Sequence, residues 1–357
     1  MPIDLQIEFA AKMDWLVQKF GSHCIIGLSG GGDSLALAKL CADYQKHDKN
    51  TKFQAVIIDH AIAIGSGEVA KVAAQKARSI GIDARIMRVD TKITKSIQEE
   101  ARRYRYELLR QAAHEFGANT ILLAHNKDDQ IETLLFRMLR KTGLDGLSGM
   151  RLAQVGFNPI HRKNNILARP LLGVSRDDLR KYLADTEIEH YDDPANENQS
   201  FARVKIRKAL PKISSLGFDP KQLEKIGRLA LELREISEKK TIEFLNQNLK
   251  INVEQAKVSI NIGAENRHIR WRAIGAIIQA LSAKPYLDQK KFESLMAHID
   301  DADFRIAALA NIQIRRKKNE LIFSIAPKRR SQIAQNTVDF ASLPTITAAI
   351  LNDFSSL

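Results

Sequence analysis

The sequence predicts an α/β chain, a doubly wound parallel sheet followed by a mainly helical second domain. Three observations carry this expectation. Short apolar runs rich in β-branched residues alternate with amphipathic helical runs through the N-terminal half, the pattern of strand-helix-strand units. The first such run, Cys24-Ile25-Ile26-Gly27-Leu28, passes through Ser29-Gly30-Gly31-Gly32-Asp33-Ser34 into a run with helical spacing, with Leu35, Ala38 and Cys41 on one face. The polar residues Ser29, Asp59 and His125 fall at the carboxyl ends of predicted strands, where open parallel sheets bind ligands.

Taken in order, Leu5, Phe9, Met13, Leu16 and Phe20 recur at helical spacing before Gly21 and predict a leading helix that packs on the sheet. Phe53 to His60 reads as a second strand, followed by an Ala-rich helix from about Ser66 to Ile80. Ala84 to Val89 is a third strand, leading to a helix from about Thr94 to Phe116 that Gly117 stops. Thr120 to Ala124 is a fourth strand with another helix behind it.

The break Gly217-Phe218-Asp219-Pro220 predicts a boundary between a first domain over residues 1–215 and a mainly helical domain over 219–330. Asp219 and Pro220 open a helix running to about Leu249 by cap and first-turn proline. A brief strand at Val258 to Ile262, helices near Asn266 to Leu281 and Asp288 to His298, and a hairpin pairing Ile312–Arg316 with Leu321–Ser324 complete this domain. Residues 331–357 have only a weak pattern and read as a tail.

A chain of 357 residues with 44% hydrophobic content buries a full core, and its formal net charge of +13 points to a polyanionic partner, nucleic acid first. The two cysteines, Cys24 and Cys41, are too few for a disulfide framework and lack C-x-x-C spacing, so both read as small core residues. No signal pattern and no long apolar window is present, which predicts a cytoplasmic protein that does not meet a membrane.

The chemistry gathers at the strand ends. A glycine loop entering a helix presents backbone N–H groups where the helix dipole favours an anion, so Ser29 to Ser34 reads as a phosphate site. It lacks the Lys-Ser/Thr pair of a Walker loop and the three spaced glycines of a dinucleotide fingerprint. Asp59 is placed to receive a nucleoside hydroxyl or amine, or is a solvated strand end. Asp129 and Glu132, three apart, share a helix face and suit Mg²⁺ bridging phosphates; a capping role for the acids of that first turn stays open. Arg203, Lys205, Arg207 and Lys208 read either as phosphate contacts or as a solvated helix face, as do Arg267, Arg270, Trp271 and Arg272. Arg315, Arg316, Lys317 and Lys318 form one basic cluster, and Lys328, Arg329 and Arg330 another.

Ser29 to Ser34 resembles the PP-loop of ATP pyrophosphatases, S-G-G-x-D-S, enzymes that cleave ATP between the α and β phosphates. Ala124-His125-Asn126-Lys127-Asp128-Asp129-Gln130-Ile131-Glu132-Thr133 narrows the resemblance to the tRNA(isoleucine)-lysidine synthetase family. Further matches follow in order: Ala101 to Tyr106, Thr142 to Met150, Arg169-Pro170-Leu171-Leu172 and Asp193-Pro194-Ala195-Asn196. The resemblance covers roughly residues 20–212. It implies an RNA-modifying ligase that uses ATP to activate C2 of the wobble cytidine in a CAU-anticodon isoleucine tRNA as an adenylate, from which L-lysine displaces AMP to give lysidine.

On that resemblance Asp33, Asp129, Glu132 and Arg105 are catalytic candidates. Ser29, Gly30, Gly31, Gly32, Asp33, Ser34, Asp59 and His125 bind ATP, Asp129 and Glu132 hold Mg²⁺, and Arg203, Lys205, Arg207 and Lys208 contact tRNA. No obligate protein partner is implied. The alternative is another PP-loop enzyme acting on tRNA, a thiolase, for which Cys24 in a strand and Cys41 in a helix are badly placed. The sequence departs from the family at Ala61-Ile62-Ala63, where members continue Gly-Leu-Arg, at Val204, where the pattern has Asn, and at Lys141, where an Arg-Gly pair is commoner.

Overall fold

The computed structural model describes residues 5–62, 65–90, 97–140, 142–156, 165–189, 202–252, 255, 257–263, 265–282, 287–301 and 303–326. Of the features read from the sequence, Ala63, Lys141, residues 193–196, and residues 327–357 with Lys328, Arg329 and Arg330 lie outside these residues. The chain forms two compact units, Met1–Leu231 and Glu232–Leu357.

The first unit opens with α1 (Leu5–Phe20), β1 (His23–Leu28), α2 (Gly32–His47), β2 (Lys52–Asp59), α3 (Ser66–Ser79) and β3 (Asp83–Arg88). It continues through α4 (Ile97–Phe116), β4 (Thr120–Leu122), α5 (Lys127–Leu139), α6 (Leu144–Leu147), β5 (Ala153–Gly156) and β6 (Asn165–Ala168). Helices α7 (Arg176–Asp185), α8 (Ala202–Ser215) and α9 (Pro220–Asn248) follow, and α9 runs on into the second unit.

The sheet order is β3-β2-β1-β4-β6-β5, parallel except for β5, which runs antiparallel on β6. Chain order reverses between β1 and β4, which pair directly from Cys24↔Thr120 to Ile26↔Leu122. This switch point opens a crevice at the carboxyl ends of the two strands.

Strand alternation assigns the two faces, as expected for a doubly wound sheet. Cys24, Ile26 and Leu28 of β1 join Phe53, Ala55 and Ile57 of β2 in the cluster packed by α1, α2, α3 and α7. Ile25 and Val56 point the other way, into a cluster with Leu109, Ala112 and Ala113 of α4. Each fully buried aliphatic side chain contributes about 1.5–3 kcal/mol. Both cysteines are free and buried. Burial pushes the Cys24 thiol up to about 12 and the Cys41 thiol well above its ordinary value. They are core residues, as the sequence reading held.

The glycine-rich stretch 142–150 is explained by α5. Gln130 clasps Met150, its Nε2 donating to the Met150 carbonyl at 3.0 Å and its Oε1 accepting the Met150 N–H at 2.8 Å. Arg137 donates to the carbonyls of Gly146 and Gly149, both at 2.9 Å. Gly149 has φ +68°, a backbone that favours glycine, and a Cβ there would come within 2.5 Å of the Gln130 amide and push it off Met150.

In the second unit β7 (Leu249–Asn252), β8 (Lys257–Asn261), β9 (Ile306–Leu309), β10 (Ile312–Lys317) and β11 (Glu320–Ile325) form an antiparallel sheet of order β7-β8-β11-β10-β9. Helices α10 (Arg267–Ser282) and α11 (Gln289–Asp300) contribute Ile274, Ile278 and Met296 to a core with Ile260, Ile314, Leu321 and Phe323. The expected helices and the β10–β11 hairpin are present. The sheet is larger than the sequence reading anticipated because β7 and β9 add to it as short, half-exposed edge strands with little apolar pattern of their own.

Much of the basic character of α10 is spent inside the unit. Arg267, Arg270 and the Trp271 indole all donate to Asp300, at 2.7, 3.3 and 3.1 Å. Arg272 reaches the buried Glu238 at 3.3 Å. On β10, Arg316 donates to the Asp301 and Ile299 carbonyls at the C-terminus of α11, while Arg315, Lys317 and Lys318 stay exposed.

Ala61 occupies the family's glycine position with φ +51°, and its N–H donates to Asp59 Oδ1 at 2.9 Å. We expect Ala61→Gly to change stability by no more than about 1 kcal/mol. Relief of the left-handed backbone is offset by the freedom glycine gains in the unfolded chain. Gly30→Ala should instead cost at least about 1–2 kcal/mol, because φ there is +87° and the added Cβ would sit 3.0 Å from Ala73 Cβ. Urea unfolding of both variants measures this.

Candidate active site

The loop after β1 is braced from within. Ser34 is buried at the start of α2; its hydroxyl donates to the Gly31 carbonyl at 2.8 Å and accepts from the Ser29 N–H and Ser29 hydroxyl, both at 3.2 Å. Gly30 takes the left-handed turn, Gly31 is the N-cap of α2, and no side chain caps that helix. A 16-residue helix therefore directs its N-terminal dipole into the crevice, which favours an anion there.

From the neighbouring strand, β4 passes through Ala124, His125 and Asn126 into α5. Asn126 and Asp129 form a capping box: Asn126 Oδ1 accepts the Asp129 N–H at 3.0 Å and Asp129 Oδ2 accepts the Asn126 N–H at 3.1 Å. Glu132, one turn on, is 1% exposed. Arg207 of α8 grips it, Nε to Oε1 at 2.7 Å and Nη2 to Oε2 at 3.4 Å. That pairing holds the Arg207 proton more tightly than usual.

Arg176, at the first position of α7, completes the cluster. Its Nε lies 3.5 Å from Asp33 Oδ2, and its Nη2 lies 3.3 Å from Asp129 Oδ1 and 3.9 Å from Glu132 Oε1. Its backbone N–H donates to Asp128 Oδ2 at 2.8 Å. Three acids from α2 and α5 thus meet two arginines from α7 and α8 beside the glycine loop.

Burial pushes the Asp129 carboxyl up to about 6, against the lowering effects of the Asn126 N–H and Arg176, while Glu132 and Asp33 raise it further. Burial also raises Asp33, opposed by Arg176 and Asn126.

Asp33, Asp129 and Glu132, singled out in the sequence, are brought together. Arg176 was not singled out; it shares no motif with the acids and is joined to them only by the fold. Arg207, read as a phosphate contact, is placed against Glu132. Lys205 and Lys208 of the same helix are exposed, and the Arg203 side chain lies outside the described residues.

Asp59 closes β2. Its Oδ1 accepts from the Ser66 hydroxyl at 2.7 Å and from Ala61 N–H, and its Oδ2 lies 3.9 Å from Arg88 Nε. Burial would raise its carboxyl, but these partners hold it below the usual range. Arg105 of α4 reaches His60 Nε2 at 3.5 Å rather than the acid cluster. Burial and Arg105 lower His60 to about 4, so the imidazole is neutral at neutral pH.

Carboxylate oxygens are the donor type that Mg²⁺ prefers. Here, however, Glu132 is engaged by Arg207, and Asp129 by Asn126 and Arg176. Among the described residues no group of three or more His, Cys, Asp or Glu is arranged to hold a metal ion. As placed, the pair is an ion-paired cluster and does not fit a resident metal.

A PP-loop domain model matches residues 5–213. The tRNA(Ile)-lysidine synthase of Bradyrhizobium sp. (strain BTAi1) is 35% identical over 62% of this chain and 61% of its own length. That of Rhodopseudomonas palustris is 32% identical over 73% of this chain and 70% of its own. The chain belongs to this family of PP-loop proteins. It spans about three fifths of the length of the first curated relatives it matches. Among solved structures, the U34-tRNA thiolase NcsA from Methanococcus maripaludis, with its [4Fe-4S] cluster, matches with a TM-score of 0.53 at 18% identity, covering 64% of this chain and 78% of that one. That likeness is one of fold.

Two outcomes are expected of the cluster. Below the ordinary carboxyl value of 3.8, Asp129 is protonated in both folded and unfolded chains; between there and about 6 the folded chain alone keeps the proton. Stability therefore falls as pH rises through that window. Asp129→Asn removes this loss, so its unfolding free energy relative to the unsubstituted chain should climb between pH 4 and 7, by at most about 2–3 kcal/mol. A pH-independent difference would show an ordinary carboxyl. Separately, Arg207→Leu should cost about 3 kcal/mol by stranding a buried charge, and adding Glu132→Gln should recover most of it.

Proposed function

We propose that this chain ligates L-lysine to C2 of the wobble cytidine of a CAU-anticodon isoleucine tRNA, converting ATP to AMP and pyrophosphate. The supporting observation is the glycine loop at the switch point opening directly onto Asp33, Asp129 and Glu132 with Arg176 and Arg207. The relatives' shared name supports the same reading.

In the first step the cytidine C2 oxygen attacks the α-phosphorus of ATP and pyrophosphate leaves toward the loop, where the α2 N-terminus stabilises its charge. In the second step the lysine amine attacks C2, the C–O bond to the adenylate breaks, AMP departs and the amine gives up a proton. Asp129, lifted to about 6, titrates close to the pH at which a proton acceptor works best. A cationic lysine can take the place of an arginine against these acids, because the site already holds both signs of charge. Mg²⁺ enters on this reading as the counter-ion of the ATP phosphates.

Exposed Lys205, Lys208, Arg315, Lys317 and Lys318 are available for tRNA phosphates, and a cytoplasmic location belongs to the same reading. No helix among the described residues is long and apolar enough to cross a membrane.

A thiolase is disfavoured by the two cysteines, since both thiols are buried and raised, which denies the chain an exposed thiolate. Mass spectrometry of nucleosides from tRNA incubated with the protein, ATP and lysine should show lysidine, with AMP and pyrophosphate released only when this tRNA is present. Release of ADP and phosphate, or a sulfur-containing nucleoside, would overturn the reading.

A further inference from the structure

A cavity of about 330 Å³ opens against the side of α5 that faces away from the acid cluster. At about 3.6 residues per turn, Lys127 and Leu134 share one side of that helix while Asp129 and Glu132 share the other. The start of α9 forms the facing wall with Glu224, Gly227 and Arg228. Gly227 lets the two helices close, since a Cβ there would come within 2.8 Å of Leu134 Cδ1. Leu134 also shares a buried cluster with Leu223 of α9. Packed helices therefore set the cavity, and its volume is that of a site for one small ligand.

The cavity carries both signs of charge. Lys127 Nζ lies 3.2 Å from Glu224 Oε1, which leaves Glu224 Oε2 able to accept another hydrogen bond. Arg228 is exposed and has no ion-pair or hydrogen-bond partner among the described residues. An arginine on a helix surface is ordinarily just solvated; this one stands beside a cavity that also offers a carboxylate and the apolar side chains Leu172 and Leu231. A ligand that answers all three has a phosphate for the guanidinium, a donor for Glu224 and a largely apolar ring for the leucines. Those are the parts of a nucleotide whose base bears an exocyclic amine.

The acids lie across α5, about 10–12 Å away by the width of a helix. A small substrate cannot fill both places, whereas consecutive nucleotides of one RNA strand can, with the bases splayed apart as in other single-stranded loops. In a CAU anticodon the adenine follows the wobble cytidine and is the only other base with an exocyclic amine. We propose that this cavity takes that adenine nucleotide, with Arg228 on its phosphate and Glu224 accepting from its amine, while the cytidine reacts at the acid cluster. This rests on the reading of the chain as an enzyme of that tRNA.

The test uses the full chain and full-length isoleucine tRNA carrying either adenine or purine, which lacks the amine, at the middle anticodon position. Affinities are measured at several salt concentrations for the unsubstituted chain, Glu224→Ala and Arg228→Ala. The unsubstituted chain should bind the adenine tRNA about tenfold more tightly than the purine tRNA, and Glu224→Ala should abolish that preference. Arg228→Ala should weaken both complexes alike and lower the slope of log affinity against log salt by about 0.7. Equal binding of the two tRNAs by the unsubstituted chain overturns the proposal without any change to the protein, so it decides even if Glu224→Ala fails to fold. A preference that survives Glu224→Ala, or a salt slope that survives Arg228→Ala, overturns it as well. If Arg228→Ala weakens AMP binding and leaves tRNA binding unchanged, the cavity takes a free nucleotide and the proposal falls. An unsubstituted chain that binds neither tRNA would instead overturn the RNA reading, and this proposal with it.

Discussion

Burial of the Glu132 carboxylate is the constraint on which the arrangement of the site depends. A charge this deep is stable only when an opposite charge reaches it, and here Arg207 comes from α8 and Arg176 from α7. The partners lie far along the chain, 75 residues away for Arg207. Satisfying one carboxylate therefore pins two later helices against α5, and Arg176 extends the tie to Asp33 at the start of α2. The glycine loop and the acids keep their spacing because the same ion pairs hold both.

Such a cluster suits a reaction that handles both signs of charge. Two arginines offset most of the charge of the three acids, so the site does not depend on bulk water to stabilise its own charges. A triphosphate would be met by the arginines and the α2 dipole, and an ammonium by the acids, each substrate replacing an internal partner rather than a hydration shell. The cost of taking the charges out of water has already been met in folding.

The sequence revealed the fold where local pattern decides it. Short apolar runs rich in β-branched residues mark β1 and β2 as buried strands, and Asp219 does begin α9, accepting the Lys221 N–H at 2.9 Å. β5 and β6 are too short for periodicity to reveal, and α8 carries Pro211 within it. At the site, residues in motifs were legible: Asp33, Asp129 and Glu132 stand beside glycines or at helical spacing. Arg176 was not, because nothing local marks an arginine after Ser175 as the partner of an acid 47 residues before it. The Arg207 pairing was hidden for the same reason, since its neighbours Lys205 and Lys208 give the whole run the look of one basic face.

The placement of the two cysteines has a practical consequence. Cys24 lies in β1 and Cys41 in α2, both sealed from solvent in the core of the first unit, and residues 232–357 contain no cysteine. An alkylating reagent meets a thiolate only when the first unit opens, so the rate of thiol labelling clocks the opening of the nucleotide-loop core alone and is blind to fluctuations of the other unit.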